Sequence, residues 1–195
     1  SKYSFERIIA LCVYLLAILC WIWGKERLTH VDSIDFPTLA VRVVQPNITQ
    51  VLKWDPKQQE ANLHTLLKMT AEPSTLPLKA IIWPESAVSF FLEQNDFYRS
   101  LIAKAIPKGA LLFTGALRRT PAEEKPVKIW NSLLVMNSQA QIVASYDKSH
   151  LVPFGEYLPF RSSLDAIFGK GTLKKLTAGS LDFTPGKEPE SISLP

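Results

Sequence analysis

Two regimes of apolar patterning divide this chain. From Ile8 to Trp23 sixteen consecutive residues are apolar, with no polar stripe at helical spacing. At about 1.5 Å per residue, a helix of that length covers roughly 24 Å. This is a little short of a ~30 Å hydrocarbon core, and Tyr3 and Phe5 extend the run at one end. Trp21 and Trp23 stand at the other end, where indoles favour the headgroup level; Arg7 and Lys25 flank the run and can snorkel. A secretory leader needs a small-residue cleavage site after its apolar core, and Trp21-Ile22-Trp23-Gly24-Lys25 does not offer one. An apolar surface on all sides suits lipid better than a soluble core. Residues 1–27 are therefore expected to form a transmembrane helix with its flanks. Basic residues balance on the two sides, so charge does not orient it.

Residues 28–37 read as a polar linker. From there the apolar positions alternate between strand and helix periods. Thr38 to Val44 is β-branched and strand-like, closed by Pro46-Asn47. Pro56 to Ala71 reads as a helix with Asp55 as N-cap and Pro56 at its first position. Ala80 to Trp83 is a short strand stopped by Pro84. A helix follows from Asp96 to Ile106, and a strand from Ala110 to Leu117. Thr120 to Pro126 is a charged loop. Ile129 to Met136 and Gln141 to Tyr146 are two strands joined at Asn137-Ser138. Beyond Lys148 the chain is rich in proline and glycine, with one short helix at Ser163 to Phe168. This order predicts an α/β domain over 38–195, its sheet mixed because the last strands pair directly.

Composition narrows the function class. The 195 residues are 47% hydrophobic and 21% charged, which provides for a packed core. The net charge is +4, but lysines and arginines are scattered, so no nucleic-acid footprint is present. A mildly basic surface suits an anionic membrane equally well. Cys12 and Cys20 both lie in the apolar run, and no CxxC or Cys/His cluster points to a metal. His30, His64 and His150 read as structural or surface residues, because no Gly-x-Ser-x-Gly or His-Glu-x-x-His accompanies them. Both ends, Ser1 and the loop-like stretch before Pro195, read as cuts in a longer protein.

Two segments are candidates for chemistry. In Ile81-Ile82-Trp83-Pro84-Glu85-Ser86 a carboxylate follows a buried strand, where α/β sites collect. Trp83 and Pro84 are expected to keep it dry, which would make it a better base. An ordinary loop glutamate fits the same residues. In Tyr146-Asp147-Lys148-Ser149-His150-Leu151-Val152-Pro153-Phe154-Gly155-Glu156-Tyr157-Leu158-Pro159 a strand leads into a stiffened loop. Lys148 can stabilise an oxyanion there, and Glu156 can pair with it or act separately. A solvated basic loop fits as well.

Taken together, Trp-Pro-Glu after a strand, Trp-Asn-Ser in a later strand and the long Tyr-Asp-Lys-x-His-Leu-Val-Pro-Phe-Gly-Glu-Tyr-x-Pro motif resemble the nitrilase (carbon–nitrogen hydrolase) superfamily. The long motif and the preceding apolar helix resemble, within it, the apolipoprotein N-acyltransferases. The resemblance covers about Thr38 to Pro195. It implies a nitrilase-like αββα sandwich, incomplete here, and a Glu–Lys–Cys catalytic set without metal or cofactor. Glu85 matches the general base, Lys148 the oxyanion lysine and Glu156 a second essential glutamate. Trp54, in Lys-Trp-Asp-Pro, matches a tryptophan on the substrate side, and Asn131 a family asparagine. Phe154, Gly155 and Tyr157 of the long motif are expected to support the site or bind substrate.

The implied reaction is ping-pong. A cysteine takes an acyl chain from a membrane phospholipid, and the α-amine of a diacylglyceryl lipoprotein then attacks the thioester. The implied place is the bacterial inner membrane, with the catalytic domain facing the periplasm. The family cysteine follows a Pro-Gly loop that is Phe183-Thr184-Pro185-Gly186 here, and residues 38–195 hold no cysteine. Cys12 and Cys20 lie in the apolar helix, so this chain alone is expected to be inactive. Two rival readings remain: an amidase acting on a small C–N substrate, and a non-catalytic membrane-anchored remnant.

Overall fold

The structure is a computed structural model that describes residues 2–30, 39–121, 123–169, 182–189 and 191–194. The chain divides into two compact units, Ser1–Pro37 and Thr38–Pro195. The first contains one helix, α1 (Lys2–Thr29). It runs two residues into the stretch expected to be linker, because Leu28 and Thr29 follow Glu26 and Arg27 without a breaker. The rest of that expected linker, 31–37, lies outside the described residues. Of α1, Ser4–Thr29 is long and apolar enough to cross a membrane. Its large side chains are exposed all round, Leu11, Tyr14, Trp21 and Trp23 among them. Near its end Lys25 lies 5.8 Å from the Trp21 ring and Arg27 5.9 Å from that of Trp23. Such aromatic–cation pairs are at home at a membrane–water interface.

The second unit is built on one five-stranded sheet: β1 (Ala40–Val43), β2 (Leu78–Ile82), β3 (Leu111–Arg119), β4 (Ile129–Asn137) and β5 (Ile142–Asp147), in that spatial order. β1, β2 and β3 are parallel; β4 and β5 are added antiparallel. The mixed sheet follows from the connections. Parallel neighbours need crossovers, supplied by α3 (Gln59–Thr70) and α4 (Asp96–Ala103), whereas β4 reaches β5 through a tight turn at Asn137. Asn137 closes that turn with its side-chain oxygen, which accepts from the N–H groups of Gln139 and Gln141. Asp55 accepts from the N–H of Lys57 and starts a 3-10 turn, Pro56–Gln58, that leads into α3. A one-turn helix, α2 (Gln50–Lys53), has no counterpart in the predicted elements. Four residues are too few to show a period. The final helix, α5 (Arg161–Phe168), starts two residues earlier than expected.

Strand alternation decides which face is filled. Ile81, Leu112, Ala116, Leu134 and Met136 form one face with Leu63 and Leu66 of α3 and Ile102 of α4, all buried in one core. The opposite parity on β1 and β2 leaves Val41, Val43 and Ile82 exposed. The described residues thus supply one helical layer and one sheet layer of the αββα arrangement. Trp83, 3% exposed, directly follows β2 and turns into the core, where its Nε1 donates to Thr70 Oγ1 at 2.8 Å. Arg42 Nη1 donates to the Thr70 carbonyl at 2.6 Å. The C-terminus of α3 is therefore tied to the sheet next to where Glu85 emerges.

Leu112, the second residue of β3, is fully buried. Leu112→Ala is expected to cost about 2–5 kcal/mol, read as a lower urea midpoint with an unchanged slope.

Candidate active site

Glu85 leaves the end of β2 on a loop pressed against β3. A Cβ on Gly115 would lie 2.5 Å from Ser86 N and 2.6 Å from Glu85 Cα. Only glycine fits there, and two backbone bonds exploit the closeness: Ala87 N–H to Gly115 O at 2.8 Å, and Gly115 N–H to Pro84 O at 3.3 Å. Ser86 takes a left-handed φ of 46° to make the bend. Such a residue is strained unless its surroundings hold it. The bend turns the Glu85 side chain toward the end of β4 and β5.

Asn131 comes from β4, opposite Leu117 of β3. Lys148 directly follows β5, and its N–H donates to Asn131 O at 2.8 Å. Upstream, Asp147 is held by Arg118 Nη1, at 2.8 Å and 3.0 Å to its two oxygens, and by Ser132 Oγ at 2.6 Å. These contacts fix the strand end from which Lys148 projects. Glu156 returns on a tight turn: Glu156 N–H donates to Val152 O, and Phe154 N–H to Tyr157 O, both at 2.8 Å. Leu151 and Leu158, both buried, anchor the two sides of that turn.

The four side chains form one cluster. Lys148 Nζ lies 3.4 Å from Glu85 Oε1, 3.2 Å from Glu156 Oε1 and 3.1 Å from Glu156 Oε2. Asn131 Nδ2 donates to Glu85 Oε1 at 2.6 Å and to Glu156 Oε1 at 2.7 Å. The N–H of Val152 donates to Glu156 Oε2 at 2.8 Å. Glu156 is 5% exposed. Burial alone would raise its pKa, but the Val152 N–H, Asn131 and Lys148 together hold it below the usual carboxylate range. Burial likewise works against the charged form of Lys148, and its bonds and attraction to Glu156 and Glu85 overcome this and raise it. Glu85 differs: its side chain is 64% exposed. The dry enclosure expected from Trp83 and Pro84 is not formed, because strand alternation sends Trp83 into the core on the other side.

These groups line a cavity of about 350 Å³ with Trp54, Gly155, Gln50, Lys53, Ser86 and Phe183. Trp54 Nε1 is buried with no hydrogen-bond partner among the described residues. The structure therefore brings together Glu85, Asn131, Lys148, Glu156, Trp54 and Gly155. It does not bring in two others. Phe154 is 55% exposed at a left-handed φ of 62°. Tyr157 lines a neighbouring hollow with His150 and Asp182. In both cases the turn that aims Glu156 inward sends its neighbours elsewhere. Lys53 and Gly115 were not singled out from the sequence: a lysine before Trp54 and a glycine inside a strand acquire meaning only from what crosses them. Phe183 reaches the cavity because its segment is stitched in beside it: Phe183 N–H donates to Glu156 O, Thr184 N–H to Ile129 O and Gly186 N–H to Lys148 O, at 2.9, 2.7 and 2.9 Å.

Two outcomes are expected. Gly115→Ala should destabilise the domain by about 1–3 kcal/mol and shift the Ser86 and Asn131 resonances. The cluster should also have a pH window. The stability contributed by Glu156 is complete above the ordinary carboxylate range and is lost as pH falls through its depressed pKa. That of Lys148 is complete below the ordinary lysine range and is lost as pH rises through its raised pKa. Unfolding measured against pH should show both limbs, and Glu156→Gln should remove the acid one.

Residues 40–184 match the family described as carbon-nitrogen hydrolase. An apolipoprotein N-acyltransferase of Brucella suis biovar 1 (strain 1330) is 40% identical over 150 residues, which cover 74% of this chain and 28% of that protein. One of Geobacter metallireducens is 33% identical over 192 residues, 96% of this chain and 34% of that protein. The chain thus spans about a third or less of the length of these curated relatives. Among solved structures, an amidase from Nesterenkonia sp. AN1 is similar at 17% identity and a TM-score of 0.44, covering 78% of this chain and 49% of that one. The matched residues hold the whole sheet together with Glu85, Asn131, Lys148 and Glu156, and the chain belongs to the carbon–nitrogen hydrolase family.

Proposed function

We propose that this chain carries the base and oxyanion groups of an N-acyltransferase that moves a fatty acyl chain from a membrane phospholipid to the N-terminal amine of a diacylglyceryl apolipoprotein. The observation that carries this reading is the placement of Lys148 Nζ between two carboxylates bridged by Asn131. The names of the relatives support the acyl-transfer chemistry, and α1 supports a membrane setting.

The two glutamates divide the work. Both Glu156 oxygens are engaged and the group is buried, so it holds Lys148 and Asn131 in place. Glu85 is exposed, and its Oε2 has no hydrogen-bond partner among the described residues. It is the group able to take a proton. In the proposed sequence Glu85 removes the thiol proton of a cysteine, and the thiolate attacks the ester carbonyl of the phospholipid. Lys148 stabilises the oxyanion. The lysophospholipid alkoxide leaves with the proton held by Glu85. The lipoprotein amine then attacks the thioester, gives up a proton to Glu85, and the thiolate departs. The Trp54 Nε1 donor is available to an acyl or headgroup oxygen. The thiol lies outside residues 38–195, which contain no cysteine. The proposed location is the bacterial inner membrane, with this domain on the periplasmic side.

The test is an assay of the full-length protein with a labelled phospholipid and a diacylglyceryl-cysteine peptide, run beside small-amide hydrolysis. Acyl transfer is expected, with Glu85→Gln and Lys148→Met each lowering kcat on the order of 10²–10⁴-fold. Amide hydrolysis without acyl transfer would make the protein an amidase instead. The 195-residue chain alone is expected to form no thioester, checked by intact mass after exposure to phospholipid.

A further inference from the structure

Glu85 is held on its carboxylate side by Asn131 and Lys148, and on one side of its backbone by β3. A third restraint comes from the remaining direction. Lys53 Nζ donates to the carbonyl oxygen of Glu85 at 2.7 Å. Lys53 ends the one-turn helix α2, which cannot hold itself by its own length. Its single turn is closed by Lys53 N–H donating to the carbonyl of its N-cap Thr49 at 2.9 Å, and it is fixed from outside by Asn62 Nδ2 of α3, which donates to Leu52 O at 2.9 Å. The lysine stem lies in the wall shared by two cavities. One is the site cavity with Glu85, Lys148 and Glu156; the other, of about 340 Å³, is lined by Val43, Ile48, Ile82 and Ala87 among others. Apolar neighbours on that side border the half-buried lysine, and its ammonium makes a charge-assisted bond to the carbonyl. Burial lowers the Lys53 pKa, and the attraction of Glu85 offsets this only in part.

We propose that Lys53 is a positioning residue that fixes the direction of the Glu85 carboxylate by gripping the Glu85 carbonyl from the opposite side of the loop. Without it, the backbone restraints on the Ser86 bend come from β3 alone, and a shift of the loop moves the Glu85 carboxylate relative to Asn131. Lys53 also ties Trp54, the next residue, to the same loop, so the substrate wall and the base move as one piece.

The kinetic arm rests on the acyl-transfer reading; a spectroscopic arm does not. In the full-length protein, Lys53→Met is expected to lower kcat for acyl transfer on the order of 10–100-fold, the loss that a misplacement of about 1 Å produces. KM should change little, and Lys53→Arg should restore most of kcat. The side-chain amide resonances of Asn131, which report its bond to Glu85 Oε1, should move in Lys53→Met and return in Lys53→Arg. An unchanged kcat, a loss expressed wholly in KM, or unmoved Asn131 resonances would each overturn the proposal. If Lys53→Met does not fold, Lys53→Gln removes the charge and shortens the reach, and the same readouts decide. If the unsubstituted protein transfers no acyl chain, the functional reading fails, and the Asn131 resonances still decide the role of Lys53.

Discussion

A carboxylate as buried as Glu156 must be met by donors, and meeting them organises the whole end of the sheet. Its three partners come from separate places: Val152 from the turn that carries Glu156 itself, Asn131 from β4 and Lys148 from the end of β5. An unpaired buried charge costs several kcal/mol, so these segments have one low-energy arrangement. Asn131 passes the constraint on, because the same amide nitrogen reaches Glu85 at the end of β2. Glu156 therefore acts as the fixed point around which the exposed carboxylate and the lysine are aimed.

The cluster also depends on backbones that come closer than side chains permit. Gly115 lets the Glu85 loop lie on β3. Gly186 does the same for the Phe183–Gly186 segment, since a Cβ there would lie 2.1 Å from Asp147 O. Both contacts sit one residue from a cluster member, Glu85 beside Ser86 and Asp147 before Lys148. Arg118 and Ser132 then keep Asp147 from drifting. The chemistry is carried by a few ionisable groups, and its precision comes from neutral backbone contacts around them.

The division of labour between the two glutamates follows from their surroundings. Equal in sequence, they become unequal because one is enclosed by a turn and the other sits at the mouth of a cavity. A buried, fully bonded carboxylate exchanges its proton poorly. A water-facing one held at a single oxygen can exchange it and still point at a reacting atom. The two lysines, both half-buried, differ instead in partner: Lys148 bonds both carboxylates and Lys53 the Glu85 carbonyl.

Local pattern was enough for much of this protein. The apolar run marks α1, β-branched and apolar stretches bounded by turn residues mark five strands, Asp55 and Pro56 mark the start of a helix, and the direct pairing of the last strands requires a mixed sheet. Glu85, Lys148 and Glu156 stand out because they follow strand ends in proline-stiffened strings, whereas Asn131 and Trp54 are marked only by the resemblance to the carbon–nitrogen hydrolases. Other features had no local signature. The exposure of Glu85 depended on which way Trp83 turned, and that is a matter of strand parity relative to the core. Phe154 and Tyr157 share the motif with Glu156, yet a turn of six residues can aim only one of them inward. Lys53, Gly115 and the one-turn helix α2 gain their meaning from segments more than twenty residues away in sequence. Period and punctuation determined the elements; which side chains met was left to contacts between distant segments, and only the folded structure decided those.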